Sequence, residues 1–484
     1  MIKKIKSFLF ENKSTRQTVA KNTFWLFFGE ISSRVLRGAI VIYAARVLGA
    51  DGWGVFSYAI TFAALFTIFS DLGLGAILTR ESAKNPELRP QYLSTSLFIK
   101  LSLVGISVVL IIFAAPLFTK IPSAKTLLPI VALILVFDGL REFGFSLNRA
   151  MEKMESEAFT KTVTNLLITA LGFLFLMTSK TAESLAWSYT IGSAVGFLIM
   201  IWTLRKYFTN LVSNFSKKLL WPIFSAAWPF TLMGILGAIM LNTDTIMLGW
   251  YKTAEELGFY SAAQRPIQLI YILPSLIGTA VFPSFARLAK RDNEKFRQIL
   301  EKSIGMVLMV GLPIILGGLI VGKDLMLLVF GNEYLPAVTT FKILLITILF
   351  VFPGAFLGNA IFAYDAQKKF IGFLAIGALG NILFNYLLIP RFGIEGSAIA
   401  TVAAQLLANG FGWYNMKKIN NFCIMPHLKK TFAATILMSI FTYIFYMLKI
   451  SVFINLPLSV IIYFAVLYLL KEPFLAEVKS IFRY

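Results

Sequence analysis

One cysteine, Cys423, and one histidine, His427, are all the chain has of either residue. That scarcity excludes an internal disulfide, a Cys/His metal cage and a CxxC redox centre, each of which needs several such side chains at fixed spacing. Charge is scarce too: Asp, Glu, Lys and Arg together make up 14% of the 484 residues, against roughly 25% in an ordinary soluble domain. No polar segment exceeds about twenty residues, which leaves connectors but no room for a separate catalytic domain. The start, Met1-Ile-Lys-Lys-Ile-Lys, is basic. Its apolar stretch is too short for a signal peptide and no small-x-small cleavage site follows, so the first spanning helix is expected to direct insertion.

Apolar residues are abundant at 58%, and they fall in repeated runs of about twenty, the length a helix needs to cross ~30 Å of hydrocarbon. The sequence therefore predicts an all-α integral membrane protein. Fourteen spans are expected, near 22–45, 55–78, 93–115, 126–148, 160–178, 184–204, 220–249, 258–285, 300–321, 337–361, 370–390, 394–416, 428–448 and 451–470. An even count puts both termini on one side, and most of the 45 Lys and Arg fall in segments on that side. The positive-inside rule makes it cytoplasmic, in the cell membrane. The net charge of +21 does not indicate nucleic acid, because the basic residues recur in short clusters between apolar runs rather than in one arm. The cluster Lys3, Lys4, Lys6, Lys13, Arg16, Lys21 and the cluster Arg287, Lys290, Arg291, Lys295, Arg297 read as topology signals and anionic-lipid contacts. Ile2, Ile5 and Leu9 with the intervening lysines fit an interfacial amphipathic helix or, equally, a plain cytosolic tail.

The chain also repeats itself. Ala50-Asp-Gly-Trp-Gly54-Val-Phe-Ser57-Tyr-Ala59 follows the first span, and Ala254-Glu-Glu-Leu-Gly258-Phe-Tyr-Ser261-Ala-Ala263 follows the seventh. Glu183-Ser-Leu-Ala186 and Glu395-Gly-Ser-Ala398 form a second, weaker pair. Two parallel six-helix bundles around a central cavity are expected, 1–215 and 216–418, with two further helices in 419–484. Pro266, Pro274 and Pro283 crowd the eighth span and suggest a hinge, while Gly192/Gly196 and Gly318/Gly322 suit close helix packing.

A charge at the helix centre costs ~2.5–3.5 kcal/mol on insertion scales, so intramembrane charges face a cavity or a partner. Glu30, Arg34 and Arg37 share one face of span one; Asp138, Arg141 and Glu142 lie in span four; Asp71, Asp244 and Arg265 lie in spans two, seven and eight. Lys100 and Lys342 can snorkel from near a helix end. Arginine's planar fork matches phosphate oxygens, so Arg34, Arg37, Arg141 and Arg265 are candidates for a diphosphate. Arg34 and Arg141 have carboxylates three or four residues away and could be locked in local salt bridges; Arg37 and Arg265 have none. Glu30, Asp71, Asp138 and Asp244 are candidates for H⁺ or Na⁺ coupling. No metal or organic cofactor is expected. Trp25, Tyr43, Trp53, Tyr260 and Tyr271 could stack on sugars, although belt or packing roles suit most of them.

Ala45–Ala59 with Ser70–Leu74, Asn242–Gly249 with Glu256–Ala263, Pro283–Ala286, Phe330–Tyr334 and Ile389–Ala398 together resemble the polysaccharide-biosynthesis flippases of the MOP superfamily, the Wzx-type or O-antigen transporters. The resemblance runs through nearly the whole chain. It implies two six-helix lobes, two additional C-terminal helices, and alternating access that carries a polyprenyl-diphosphate-linked oligosaccharide from the cytoplasmic to the outer leaflet. It further implies cavity arginines for the diphosphate, matched here by Arg37 and Arg265 but not by Arg141, and an ion gradient or membrane potential to bias the cycle. Expected partners are the lipid-linked glycan, membrane lipids, and glycosyltransferases or a polysaccharide polymerase. The physics agrees: a sugar diphosphate would lose several kcal/mol per unpaired polar group in hydrocarbon. A wet basic cavity replaces that water while the tail stays in lipid, through an opening near spans thirteen and fourteen or between spans one and eight. The alternatives are a cation-coupled drug exporter, a lipid II flippase, and a membrane glycan polymerase or glycosyltransferase, which would need a larger loop than the chain offers.

Overall fold

The computed structural model describes residues 10–12 and 14–473 and is helical throughout, with no strand among the described residues. Residues 2, 5 and 9, expected in an interfacial helix, lie outside them, as do Lys3, Lys4, Lys6 and Lys13. In chain order the helices are α1 (Thr15–Asp71), α2 (Leu74–Lys84), α3 (Arg89–Val109, continued by a π turn to Ala114), α4 (Pro122–Ala150), α5 (Met154–Thr178), α6 (Ala182–Leu204), α7 (Leu220–Tyr251) and α8 (Ala254–Ile270). They are followed by α9 (Ile272–Leu288), α10 (Asn293–Phe330), α11 (Ala337–Leu345), α12 (Ile348–Ala363), α13 (Gln367–Ile419), α14 (Met425–Met447) and α15 (Val452–Leu469). A helix satisfies every backbone N–H and C=O within its own segment, which is one of the two ways, with the closed barrel, that a chain can cross lipid.

Ten of the described helices are long and apolar enough to cross a membrane, or eleven if α11 and α12, bent by 41°, count as one span. Two of the ten are far too long for a single pass: α1 has 57 residues and α13 has 53, roughly 80 Å of helix at 1.5 Å per residue. Each is two helices joined at one glycine whose φ is positive, Gly49 at 67° and Gly393 at 59°. Only glycine enters that region without a Cβ penalty.

By contacts, Met1–Gly258 and Phe259–Tyr484 form two compact units. In the first, α1 packs against α3, α4, α5, α6 and α7, and α2 packs against α4 and α7. In the second, α10 is the hub, touching α9, α11, α12, α14 and α15, while α13 lies on α11 and α12. The eighth span is interrupted at Tyr271, between Pro266 and Pro274. The small-residue pairs pack as expected. A Cβ on Gly192 or Gly196 would fall 2.4 Å from Ile168 and 2.0 Å from Thr164, and one on Gly318 would fall 2.6 Å from Leu345.

The first unit also holds the contact that explains the duplicated motif. A Cβ on Gly54 would sit 1.8 Å from the Ala254 carbonyl oxygen, and a Cβ on Gly258 would sit 1.9 Å from that of Ala50. Ala50 and Gly54 in one copy thus meet Ala254 and Gly258 in the other, each glycine against the other copy's alanine. This is a small-xxx-small crossing, in which the backbones approach because no side chain stands between them.

Candidate functional site

The embedded charges of the first unit are carried mainly on α1, α3, α4 and α5. On α1, Arg34 Nε donates to Glu30 Oε1 at 2.7 Å, the local i,i+4 pair that the spacing allowed. Arg37, one turn on, donates from Nε to Asn165 Oδ1 on α5 at 2.6 Å and remains exposed. Ser32 with Thr162 at 2.8 Å, and Thr169 Oγ1 to the Leu36 carbonyl at 3.1 Å, continue this polar seam between α1 and α5.

On α4, Arg141 is buried; its Nη1 lies 2.8 Å from Asp138 Oδ1, and its guanidinium is 5.9 Å from the Phe145 ring. The Arg141 Nε has no hydrogen-bond partner among the described residues. Lys161 of α5 approaches the same ring at 5.6 Å and pairs with Glu157 at 2.9 Å. Glu157 is wholly buried and receives a two-point contact from Arg149, whose Nε lies 2.9 Å from Oε2. Two oxygens facing one guanidinium fork is the strong geometry for this pair, and it ties α4 to α5 across their connecting turn. Arg149 also reaches Glu142 at 3.6 Å.

Lys100 of α3 corrects the expectation that it snorkels. Its side chain is 1% exposed and turned inward, with Nζ 3.3 Å from Asp71 Oδ1 and 3.5 Å from Ser70 Oγ. Asp71 closes α1; Leu72 and Gly73 then take φ of 42° and 75° before α2 begins. Span two is therefore broken at Asp71–Gly73. Thr231 of α7 caps the break by donating to the Leu72 carbonyl at 2.8 Å. Asp244 of α7 is buried.

The second unit is polar in a different way. Arg265 on α8 is half-buried and donates from Nη1 to Gln268 Oε1 at 3.3 Å. Neutral amides and hydroxyls otherwise line α13. Asn385 Nδ2 donates to the Asn381 carbonyl at 2.9 Å, Ser397 Oγ to Asn385 Oδ1 at 2.8 Å, and Asn409 Nδ2 to Gln405 Oε1 at 3.0 Å. The Asn385–Ser397 bond joins the two halves of α13 across the Gly393 kink, and nothing in their spacing of twelve residues signals it. Among α10, α11, α14 and α15 lies an apolar groove of about 290 Å³, lined by Met309, Pro313, Gly317, Met438, Val460 and Phe464 among others. Of the five aromatic residues weighed for sugar stacking, Trp53 and Tyr260 are fully buried, Trp25 packs on Phe24 and Phe28, Tyr43 packs on Phe173, and Tyr271 bonds Thr347.

Among the described residues no cluster of His, Cys, Asp or Glu could hold a metal ion. The helices do hold cations and carboxylates inside the span boundaries, able to pair with an anion or with one another.

Comparison with known proteins agrees with the architecture. The chain is 22% identical over 413 residues to a capsular polysaccharide biosynthesis protein of Staphylococcus aureus, covering 83% of this chain and all of that one. It is 24% identical over 410 residues to a putative O-antigen transporter of Shigella flexneri (79% of this chain, 94% of the relative). With a probable low-salt glycan biosynthesis flippase of Haloferax volcanii it shares 23% over 388 residues (79% and 80%). Among solved structures, an inward closed lipid II flippase superposes with a TM-score of 0.75 at 18% identity, covering 93% of this chain and all of that one. An inward-facing MATE multidrug transporter of the MOP superfamily gives 0.69 at 15%, covering 80% and 94%. The fold is thus that of this superfamily. A MatE family model matches residues 229–387, and the model described as polysaccharide biosynthesis protein matches residues 19–289. With more than half of its residues inside that second match, the chain belongs to the polysaccharide biosynthesis protein family.

Proposed function

We propose that this protein is a flippase that moves a polyprenyl-diphosphate-linked oligosaccharide from the cytoplasmic to the outer leaflet by alternating access, for cell-surface polysaccharide synthesis. The observation that carries the reading is the family match over residues 19–289, reinforced by relatives named as an O-antigen transporter and as glycan flippases. The embedded arginines suit the cargo, because a guanidinium stays charged and pairs with phosphate oxygens at two points. Arg37 and Arg265 are the principal diphosphate contacts in this reading, with Arg34 and Arg141 secondary because both face carboxylates of their own helix. The apolar groove beside α14 and α15 favours that side, rather than spans one and eight, for the polyprenyl tail. Glu30, Asp71, Asp138 and Asp244 remain the residues through which H⁺ or Na⁺ would bias the cycle.

The topology proposed with it has fourteen passes and both termini in the cytoplasm. Each glycine-kinked helix supplies two passes, and the pairs α8–α9 and α11–α12 supply one broken pass apiece. The lobes are proposed as 1–215 and 216–418, with 419–484 appended, and glycosyltransferases or a polysaccharide polymerase as partners.

Leaflet exchange of a labelled polyprenyl-diphosphate oligosaccharide in proteoliposomes tests the reading. Wild-type protein is expected to accelerate exchange. Arg37→Ala and Arg265→Ala are expected to slow it roughly tenfold or more, the loss of one charge-assisted contact, while Arg→Lys retains part of the rate. Unchanged exchange in both alanine variants removes these arginines from the site. Export of organic cations without glycolipid movement points to a drug exporter, and new glycosidic bonds point to an enzyme.

A further inference from the structure

Two lysines of the first unit are equally buried and differently satisfied. Lys21 and Lys100 are each 1% exposed. Lys21 has three partners: Asn12 Oδ1 at 2.6 Å, Glu155 Oε2 at 3.0 Å and the Glu152 carbonyl at 3.3 Å. That uses all three ammonium donors, as a structural lysine should. Lys100 has two, both long: Asp71 at 3.3 Å and Ser70 at 3.5 Å, where a charge-assisted bond normally measures about 2.7–2.9 Å. A buried ammonium with a donor left over calls for an explanation, and an anion that binds there is one.

The surroundings say what that is. The Asp71 side chain is 38% exposed, so one face of the pair is open while the lysine sits behind it. Gly139 of α4 leaves the space beside the ammonium free: a Cβ there would be 3.7 Å from Nζ and 3.5 Å from Ser70 Oγ. Gly75 of α2 is instead closely packed on the other side of the carboxylate: a Cβ there would fall 2.7 Å from Ser146 Oγ and 3.7 and 3.8 Å from the two Asp71 oxygens. Asp71 is also the last residue before the break at Leu72 and Gly73, so whatever moves its carboxylate acts on the joint between α1 and α2.

We propose that Lys100 is a further phosphate-binding residue, masked in this conformation by Asp71, and that a diphosphate oxygen displaces the Asp71 carboxylate from it and so releases the break in span two. A diphosphate brings more charge and more acceptor oxygens than one carboxylate, and can fill the donor that Asp71 and Ser70 leave over. The proposal rests on the flippase reading above.

The test is binding of a polyprenyl diphosphate, and separately of inorganic pyrophosphate, to the full chain in vesicles. Asp71→Asn unmasks the ammonium and is expected to tighten binding roughly tenfold while slowing leaflet exchange, because nothing then competes the cargo off. Lys100→Met, which removes the charge without leaving a cavity, is expected to weaken binding by a similar factor, and Asp71→Asn combined with Lys100→Met to show no gain. A gain with the lipid-linked form supports the assignment, and the pyrophosphate arm tells whether the diphosphate alone suffices. If wild type binds while Asp71→Asn changes only thermal stability, the pair is structural and this inference fails. If wild type binds neither probe and exchanges no glycolipid, it is the flippase reading that fails.

Discussion

Gly49 makes by itself, in the first repeat, the turn that Lys252 and Thr253 make together in the second. The two helices of α1 meet at one residue, Gly49, with φ 67°, whereas α7 stops at Tyr251 and α8 restarts at Ala254. There Thr253 and Glu256 form a capping box: the Glu256 N–H donates to Thr253 Oγ1 at 3.2 Å, and the Thr253 N–H donates to Glu256 Oε2 at 3.2 Å. Further along, the roles exchange. The first repeat uses Thr181, which caps α6 by accepting from the Ser184 N–H at 3.2 Å, and the second uses the Gly393 kink within α13. The turns before α5 and α13 match instead, with Glu152 and Asp365 both left-handed, at φ 56° and 57°. A turn between membrane helices thus has two interchangeable solutions: turn within a single residue that has no Cβ, or stop the helix and satisfy its orphan donors with a side chain.

The most damaging way to break the comparison is at the crossing both copies share. Gly54→Leu and Gly258→Leu should each abolish folded monomer on size-exclusion chromatography, since even a Cβ at these sites meets a backbone carbonyl. Glu157→Ala should come next. It leaves Arg149 and Lys161 facing an empty buried site across the α4–α5 turn, for which ~3–5 kcal/mol is the usual loss; a fall in the thermal unfolding midpoint measures it, and an unchanged midpoint would show the turn is held otherwise.

The two kinds of turn separate at smaller scale. Gly49→Ala and Gly393→Ala should cost about 1–3 kcal/mol each through strain at positive φ with extended ψ, and Thr253→Ala and Thr181→Ala about 1 kcal/mol through lost caps. Thr253→Gly should cost only a few tenths, because glycine is tolerated at a helix N-cap; equal losses for Thr253→Gly and Thr253→Ala would contradict the capping account. Smallest is the α10 cap. The Lys295 N–H donating to Asp292 at 3.0 Å holds that exposed carboxyl below its ordinary value. Its contribution is present above the unfolded pKa and lost as pH falls through the folded one. Asp292→Asn should therefore lower stability slightly at neutral pH, with the difference from wild type vanishing as pH falls through the folded value, so that the acid end of the profile flattens.

The features legible from sequence were those set by spacing along one helix. Glu30 with Arg34 and Asp138 with Arg141 were readable as local pairs because i,i+4 and i,i+3 side chains must be neighbours, and the duplication was readable from residue identity alone. Lys100 was misread, although eleven residues into α3 is about 16 Å from its end, beyond the reach of a lysine stem. Arg149 with Glu157 and Asn385 with Ser397 were invisible because each pair closes across a turn whose geometry no local pattern fixes.

Composition and run length, by themselves, determined that this chain is helical and lives in a bilayer, because continuous apolar runs of about twenty residues match a helix crossing lipid and not the short alternating strands of a barrel. Internal repetition picked out the two glycine motifs, Ala50–Ala59 and Ala254–Ala263. Tertiary structure alone decided which charges answer which: that Arg37 turns to an amide on α5, that Lys100 turns inward to Asp71, and that the two copies of the glycine motif meet each other. Such choices depend on distances between helices remote in sequence, and a helix carries no record of which neighbour its polar face will find.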